Sequence, residues 1–147
     1  MEVILLANLA STLMMTGVIW IVQIVHYPLF DRVGTQGFAR YEADHATRIT
    51  SIVLPLMTVE LLTALALALE PPPGIPASIF WVGLALAGVA WLSTAFIQLP
   101  LHAQLSSGFD VAAYRNLVNT NWIRTITWSL RSILVIGVIA HYVHIAS

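Results

Sequence analysis

Residues 46–74 read ATRITSIVLPLMTVELLTALALALEPPPG. From Ala46 to Leu69 the run is almost wholly apolar, and only Arg48 and Glu60 carry charge. A helix that crosses the hydrocarbon core of a bilayer needs roughly 20 such residues. The segment Glu70-Pro71-Pro72-Pro73-Gly74 cannot continue that helix, because its prolines lack the N–H donor and clash with the preceding turn. The stretch is therefore a membrane-spanning helix with a hard stop.

Working outward, the same pattern recurs three times. One apolar segment precedes it, from about Val3 to Phe30, and two follow, Pro76 to Gln104 and Asn119 to Ile145. The expected fold is all-α: a single domain over residues 1–147 forming an integral membrane four-transmembrane-helix bundle. The connections Asp31–Asp44 and Ser106–Val118 are polar, and their Phe38–Tyr41 and Val111–Leu117 stretches are expected as short interfacial helices. The N-terminus has no positive region before its apolar run, and that run outlasts a signal sequence. It reads as a retained first helix.

Composition agrees. Of 147 residues 59% are apolar and 9% charged, against about 25% charged in a soluble domain. Mean hydropathy is +0.85. A chain this short has too little interior to hide so much apolar surface from water, so lipid is its expected partner. All six basic residues are Arg, and the formal net charge is −1. Nothing points to nucleic acid. The absence of cysteine excludes thiolate nucleophiles, disulfide exchange and Cys-held metals. There is no Gly-rich phosphate loop, nucleophile elbow or zinc signature, which argues against nucleotide and serine hydrolysis.

Arginine placement gives the expected orientation. Arg32, Arg40 and Arg48 flank the first loop, and Arg115 and Arg124 flank the third. The positive-inside rule puts those loops in the cytoplasm and both termini outside, in what is expected to be a bacterial inner (plasma) membrane. The halves are weakly alike: Gln23-Ile-Val-His26-Tyr-Pro28-Leu29 is similar to Gln98-Leu-Pro100-Leu101-His102, and His45-Ala-Thr-Arg48 to Asn121-Trp-Ile-Arg124. Each half would be a helix pair in a parallel repeat.

Polar side chains inside a membrane normally face the bundle interior and pair. Gln23 and His26 share a helix face, as do Gln98 and His102. Tyr41, His45 and Arg48 form one stripe, and Asn121, Arg124, Trp128 and Arg131 another. Most fall in the cytoplasmic half, so a polar cavity is expected there. Glu60 and Arg131 lie deeper and carry opposite charge, so they are expected to pair, either as a structural clamp or as part of a binding site.

These residues suggest several chemistries. His26, His45 or His102 is a candidate general base, since imidazole titrates near ambient pH. Arg124 and Arg131 suit an enolate or phenolate, Trp122 and Trp128 a flat ring, and Gln23, Gln98, Asn121 and Glu60 further substrate contacts. His26 and His102 also suit axial ligation of haem, or a non-haem metal site with His45, Glu42 or Glu60. The cofactor is left open between none, haem and a metal ion. His141 and His144 have chelating spacing at the outer end. Gly83, Ala85, Ala87, Gly88 and Ala90 make a small-residue face on the third helix, suited to close packing within the bundle or in a homo-oligomer.

The helix-four stretch Asn119-Thr-Asn121-Trp122-Ile-Arg124-Thr-Ile-Thr-Trp128-Ser-Leu-Arg131 resembles the Asn/Trp/Arg-containing last helix of the DUF1772 membrane proteins, a grouping that includes anthrone-oxygenase-like proteins. The resemblance covers the whole chain in layout and one helix in motif. Anthrone oxygenases oxidise a polycyclic aromatic substrate with O₂, without metal or flavin. The resemblance therefore implies a pocket for a lipophilic, aromatic small molecule and an oxidoreductase or oxygenase activity. A haem- or metal-binding redox protein and a non-enzymatic membrane module or small transporter-like subunit are the alternative readings.

Overall fold

The computed structural model describes residues 1–146. The first span runs Glu2–Arg32: α1 (Glu2–Ile21) is followed without a break by a π-helical turn, Val22–His26, and a 3-10 segment, Tyr27–Arg32. The second is α2 (Phe38–Leu69). The third, Ala77–Leu105, joins α3 (Ala77–Ser93), a second π turn at Thr94–Gln98 and α4 (Leu99–Leu105). The fourth is α5 (Val111–Ala146). These four helices are long and apolar enough to cross a membrane, and the described residues contain no strand. The protein is an all-α, four-helix integral membrane bundle.

Two boundaries differ from the hydropathy reading. α2 starts at Phe38 rather than near Ala46, and α5 at Val111 rather than near Asn119. The stretches expected as separate interfacial helices are the first turns of these spans. They are amphipathic rather than uniformly apolar. Phe38, Glu42, Ala113 and Leu117 face inward, each no more than 2% exposed, and Phe38 packs edge-on against Phe30 and Phe109. Asp110 caps α5, its carboxylate accepting from the Ala113 N–H at 2.7 Å. Between α2 and α3 the Pro-rich turn is completed at Gly74, whose φ of +83° is left-handed backbone that a glycine adopts freely.

Each helix packs against its neighbours in sequence, and α5 closes the ring against α1. This is an up-down-up-down bundle. Its polarity is inverted relative to a soluble bundle. The outer surface carries large apolar side chains such as Val3, Phe96 and Ile133, all at least 70% exposed. The interior holds buried Asn8, Thr12, Gln23, Glu42, Glu60, Gln98, Asn121 and Arg131. An apolar exterior of this kind is matched to lipid. The small-residue face of α3 is largely spent inside the bundle, with Gly83, Ala87 and Ala90 buried.

The deepest polar point ties all four helices together. Glu60 of α2 and Arg131 of α5, on opposite corners of the ring, form an ion pair with Nε to Oε1 at 2.8 Å, and both side chains are almost wholly buried. The Thr12 hydroxyl of α1 donates to the same carboxylate oxygen at 2.8 Å, and the Trp128 indole donates to Oε2 at 2.9 Å. Arg131 also donates to the Gly83 carbonyl of α3 and to Thr12. Asn8 donates to the Glu60 backbone carbonyl at 3.1 Å. Every oxygen of the Glu60 carboxylate is thus satisfied. This layer separates an apolar cluster at the end that holds the termini, around Leu5, Leu67 and Phe80, from one at the opposite end, around Met15, Phe30, Phe38 and Leu117.

Removing one member of such a pair strands a charge away from water, which typically costs about 3–5 kcal/mol. Arg131→Leu should therefore strongly destabilise the bundle in detergent. The double substitution Glu60→Leu with Arg131→Leu should recover a substantial part of that loss. Chemical denaturation followed by tryptophan fluorescence measures both, and a double variant no more stable than the single one would refute the pairing energetics.

Candidate functional site

Two prolines shape the half of the bundle that lies toward the first and third loops. Proline removes a backbone donor and presses on the carbonyl one turn earlier, which loosens the helix there. In the first span the π turn Val22–His26 ends two residues before Pro28, and in the third span the π turn Thr94–Gln98 ends two residues before Pro100. The two halves share this device at matching positions. In the first span it sets Gln23 and Tyr27 on the buried face and leaves His26 half-buried at the seam with α2.

From these positions a continuous hydrogen-bond network crosses the bundle. Gln23 accepts from the Asn121 amide at 2.8 Å, and the Asn121 carbonyl oxygen accepts from Arg124 Nε at 2.9 Å. Arg124 Nη1 donates to Thr94 at 3.3 Å, and Nη2 to the Tyr27 oxygen at 3.2 Å. Tyr27 lies 2.8 Å from His102 Nε2, and His102 Nδ1 meets the Glu42 carboxylate in a short contact. A carboxylate facing Nδ1 favours a proton there, and neutral His102 then accepts at Nε2 from the Tyr27 hydroxyl, whose oxygen in turn accepts from Arg124. The result is a carboxylate–imidazole–phenol line ending at a guanidinium.

This line borders a cavity of about 290 Å³. Tyr27, Gln98, His102 and Arg124 form its polar end, and Met15, Met57 and Trp91 are among its apolar walls. Its rim includes the exposed residues Thr50 and Leu54 of α2, with Ala95 and Leu99 of the third span. The cavity therefore opens sideways between two spanning helices, toward the surface that faces lipid. A second, larger hollow of about 630 Å³ is a groove between α1 and α2, and it carries His26, Tyr41, Asp44, His45 and Arg48. There His26 Nε2 and His45 Nδ1 are hydrogen-bonded at 2.8 Å.

The candidate residues thus separate into four places. His102, Arg124 and Gln98 line the cavity, with Gln23 and Asn121 bracing Arg124 from behind. His26 and His45 face the groove instead. Glu60, Arg131 and Trp128 belong to the deep layer, where Trp128 is fully buried and bonded to Glu60. Trp122 lies outside the bundle, edge-on to Trp20 at 5.8 Å. Of the tryptophans, Trp91 is the one that walls the cavity, its indole donating to the Met57 carbonyl at 3.3 Å. His141 lines a shallow groove between α3 and α5.

The arrangement does not suit axial haem ligation by His26 and His102. Both ring nitrogens of His102 are engaged, by Glu42 and Tyr27, and His26 Nε2 is bound to His45. Among the described residues no three His, Asp or Glu side chains converge so as to hold a metal ion. Tyr27 is a member of the site that spacing does not single out, because it sits beside His26 in a Tyr-Pro pair. The proline is the available signal, since it rotates the preceding turn. Glu42 is signalled by standing three residues before His45 on one helix face.

Arg124 is the unusual member. It is 6% exposed, and among the described residues no carboxylate lies within ion-pairing distance of it. Its partners are the neutral groups Asn121, Thr94 and Tyr27. Asn121→Ala would leave Gln23 and Arg124 without their shared partner. A loss of about 1–3 kcal/mol is expected for buried groups so stranded, read as a lower midpoint in thermal unfolding.

No protein-family model, no curated protein and no solved structure matches this chain.

Proposed function

We propose that this protein is an integral membrane oxidoreductase or oxygenase that acts on a lipophilic, aromatic small molecule entering its cavity from the bilayer. The observation that carries this reading is Arg124: a buried cation lining an apolar cavity, hydrogen-bonded only to neutral groups. A site of this kind is completed by negative charge on a ligand. An enolate or phenolate formed by proton loss supplies it, and a preorganised donor in a water-poor site stabilises such charge strongly.

The neighbouring groups provide the base. His102, oriented by Glu42, takes a proton from the substrate either directly or through the Tyr27 hydroxyl, and Arg124 holds the resulting oxyanion. Trp91 offers a wall for a flat ring. The resemblance to the anthrone-oxygenase-like proteins makes dioxygen the electron acceptor. The overall change is then balanced as an activated CH₂ plus O₂ giving C=O plus H₂O, with both substrate hydrogens leaving in the water. The arginines around the first and third loops support a cytoplasmic position for the cavity end of the bundle, with the termini outside, by the positive-inside rule.

Purified protein in lipid nanodiscs, supplied with a panel of lipophilic phenols and tricyclic ketones bearing an acidic CH₂, should consume oxygen in a substrate-dependent way. Tyr27→Phe, His102→Ala and Arg124→Met should each lower kcat/KM at least about a hundredfold, the usual scale for positioned acid–base groups. Oxygen uptake no higher than that of empty nanodiscs across the panel would refute the reading, as would wild-type rates in all three variants.

A further inference from the structure

The groove carries His26 and His45 and the cavity carries Tyr27 and His102, and two atoms of this polar cluster lack partners. Glu42 Oε2 and His45 Nε2 are buried and have no hydrogen-bond partner among the described residues. Glu42 is itself fully buried. The two residues are three apart on α2 and so share a helix face. The His45 ring lies 5.6 Å from the His102 ring and 4.4 Å from the His26 ring, measured between centroids. Buried polar atoms are nearly always satisfied, by protein or by an internal water.

One tautomer of the His26–His45 pair makes the match specific. With His45 carrying its proton on Nδ1, directed at His26 Nε2, its Nε2 is an acceptor. Glu42 Oε2 is also an acceptor, since the carboxylate takes the His102 Nδ1 proton on its other oxygen. A single water molecule has two hydrogens to donate, one for each. We propose that a water bridges Glu42 Oε2 and His45 Nε2, and that through it the His26–His45 pair serves as the proton port of the Glu42–His102–Tyr27 line.

The path balances for one proton leaving the cavity. The Tyr27 oxygen gains a proton and passes its own to His102 Nε2, and His102 releases Nδ1–H to Glu42. The protonated carboxyl turns to present that proton to the bridging water, which hands one on to His45 Nε2. His45 gives up Nδ1–H to His26 Nε2, and His26 releases a proton from its other nitrogen into the groove. Each group ends in the charge state in which it began. Tyr41, Asp44 and Arg48, all exposed, mark the polar end of the groove beside His26 and His45, and the rest of its lining is valine and isoleucine. Arg124 closes the opposite end of the line. Because both substrate hydrogens end in the product water, the port carries no net proton per turnover; it lets the proton held by Tyr27 and His102 exchange with water without crossing lipid.

This relay rests on the acid–base role proposed for Tyr27 and His102, but its test needs no substrate. With ¹⁵N-histidine labelling in detergent micelles, the exchange of the His102 ring proton with water is measured by NMR. Only five histidines are present, so single substitutions assign the signals. His45→Phe and His26→Phe should each slow His102 exchange at least tenfold, and His141→Asn at the outer end should leave it unchanged. His45→Gln keeps a hydrogen-bonding side chain but carries no proton through. It should slow exchange in the same way if the phenylalanine variant fails to fold. His102 exchange within twofold of wild type in a folded His45 variant overturns the relay and leaves the oxidoreductase reading standing. A failed oxygen-uptake assay with slowed exchange does the reverse.

Discussion

The bundle depends on one ion pair placed where water cannot reach it. Glu60 and Arg131 stand on opposite corners of the helix ring. An unpaired charge at that depth is costly in a membrane, so neither side chain is tolerable without the other. Their additional bonds to Thr12, Trp128 and Gly83 recruit the remaining two helices. Lipid offers no hydrophobic force to drive helices together, and packing with interhelical hydrogen bonds has to serve instead. The polar layer does this at a single level, with apolar clusters on either side.

The contrast between the two buried arginines of α5 separates architecture from chemistry. Arg131 is neutralised by Glu60, and each of its three nitrogens donates to a partner. Arg124, two turns earlier on the same helix, has dipoles around it and no anion. Identical side chains in similar burial thus have opposite meanings, and their partners distinguish them. Removing charge from Arg131 disturbs the whole ring, whereas the neutral partners of Arg124 leave its charge available to whatever enters the cavity.

Much of this was legible in the residues themselves. Four apolar runs, a Pro-rich stop and two lone opposite charges in lipid lead directly to four spans and to the Glu60–Arg131 pair, because the energetics of charge in hydrocarbon leave few alternatives. The starts of α2 and α5 were not legible from hydropathy. Phe38, Glu42, Ala113 and Leu117 bury one side of a polar stretch, which a running average cannot register. The grouping of the histidines was also out of reach. Helical spacing places Gln23 with His26, but the π turn ahead of Pro28 brings Tyr27 inward and leaves His26 at the seam. Tryptophan roles depended on depth and facing together, so Trp128 joins the clamp, Trp122 the exterior and Trp91 the cavity wall.

The paired π turns have a positional consequence. A π turn is a stretch of helix with loosened axial bonding, and the first and third spans each carry one on the same side of the Glu60–Arg131 layer. The two turns therefore lie together at one end of the bundle, away from the ion pair that rivets it, and the mouth of the cavity between α2 and the third span includes Ala95 of the second turn.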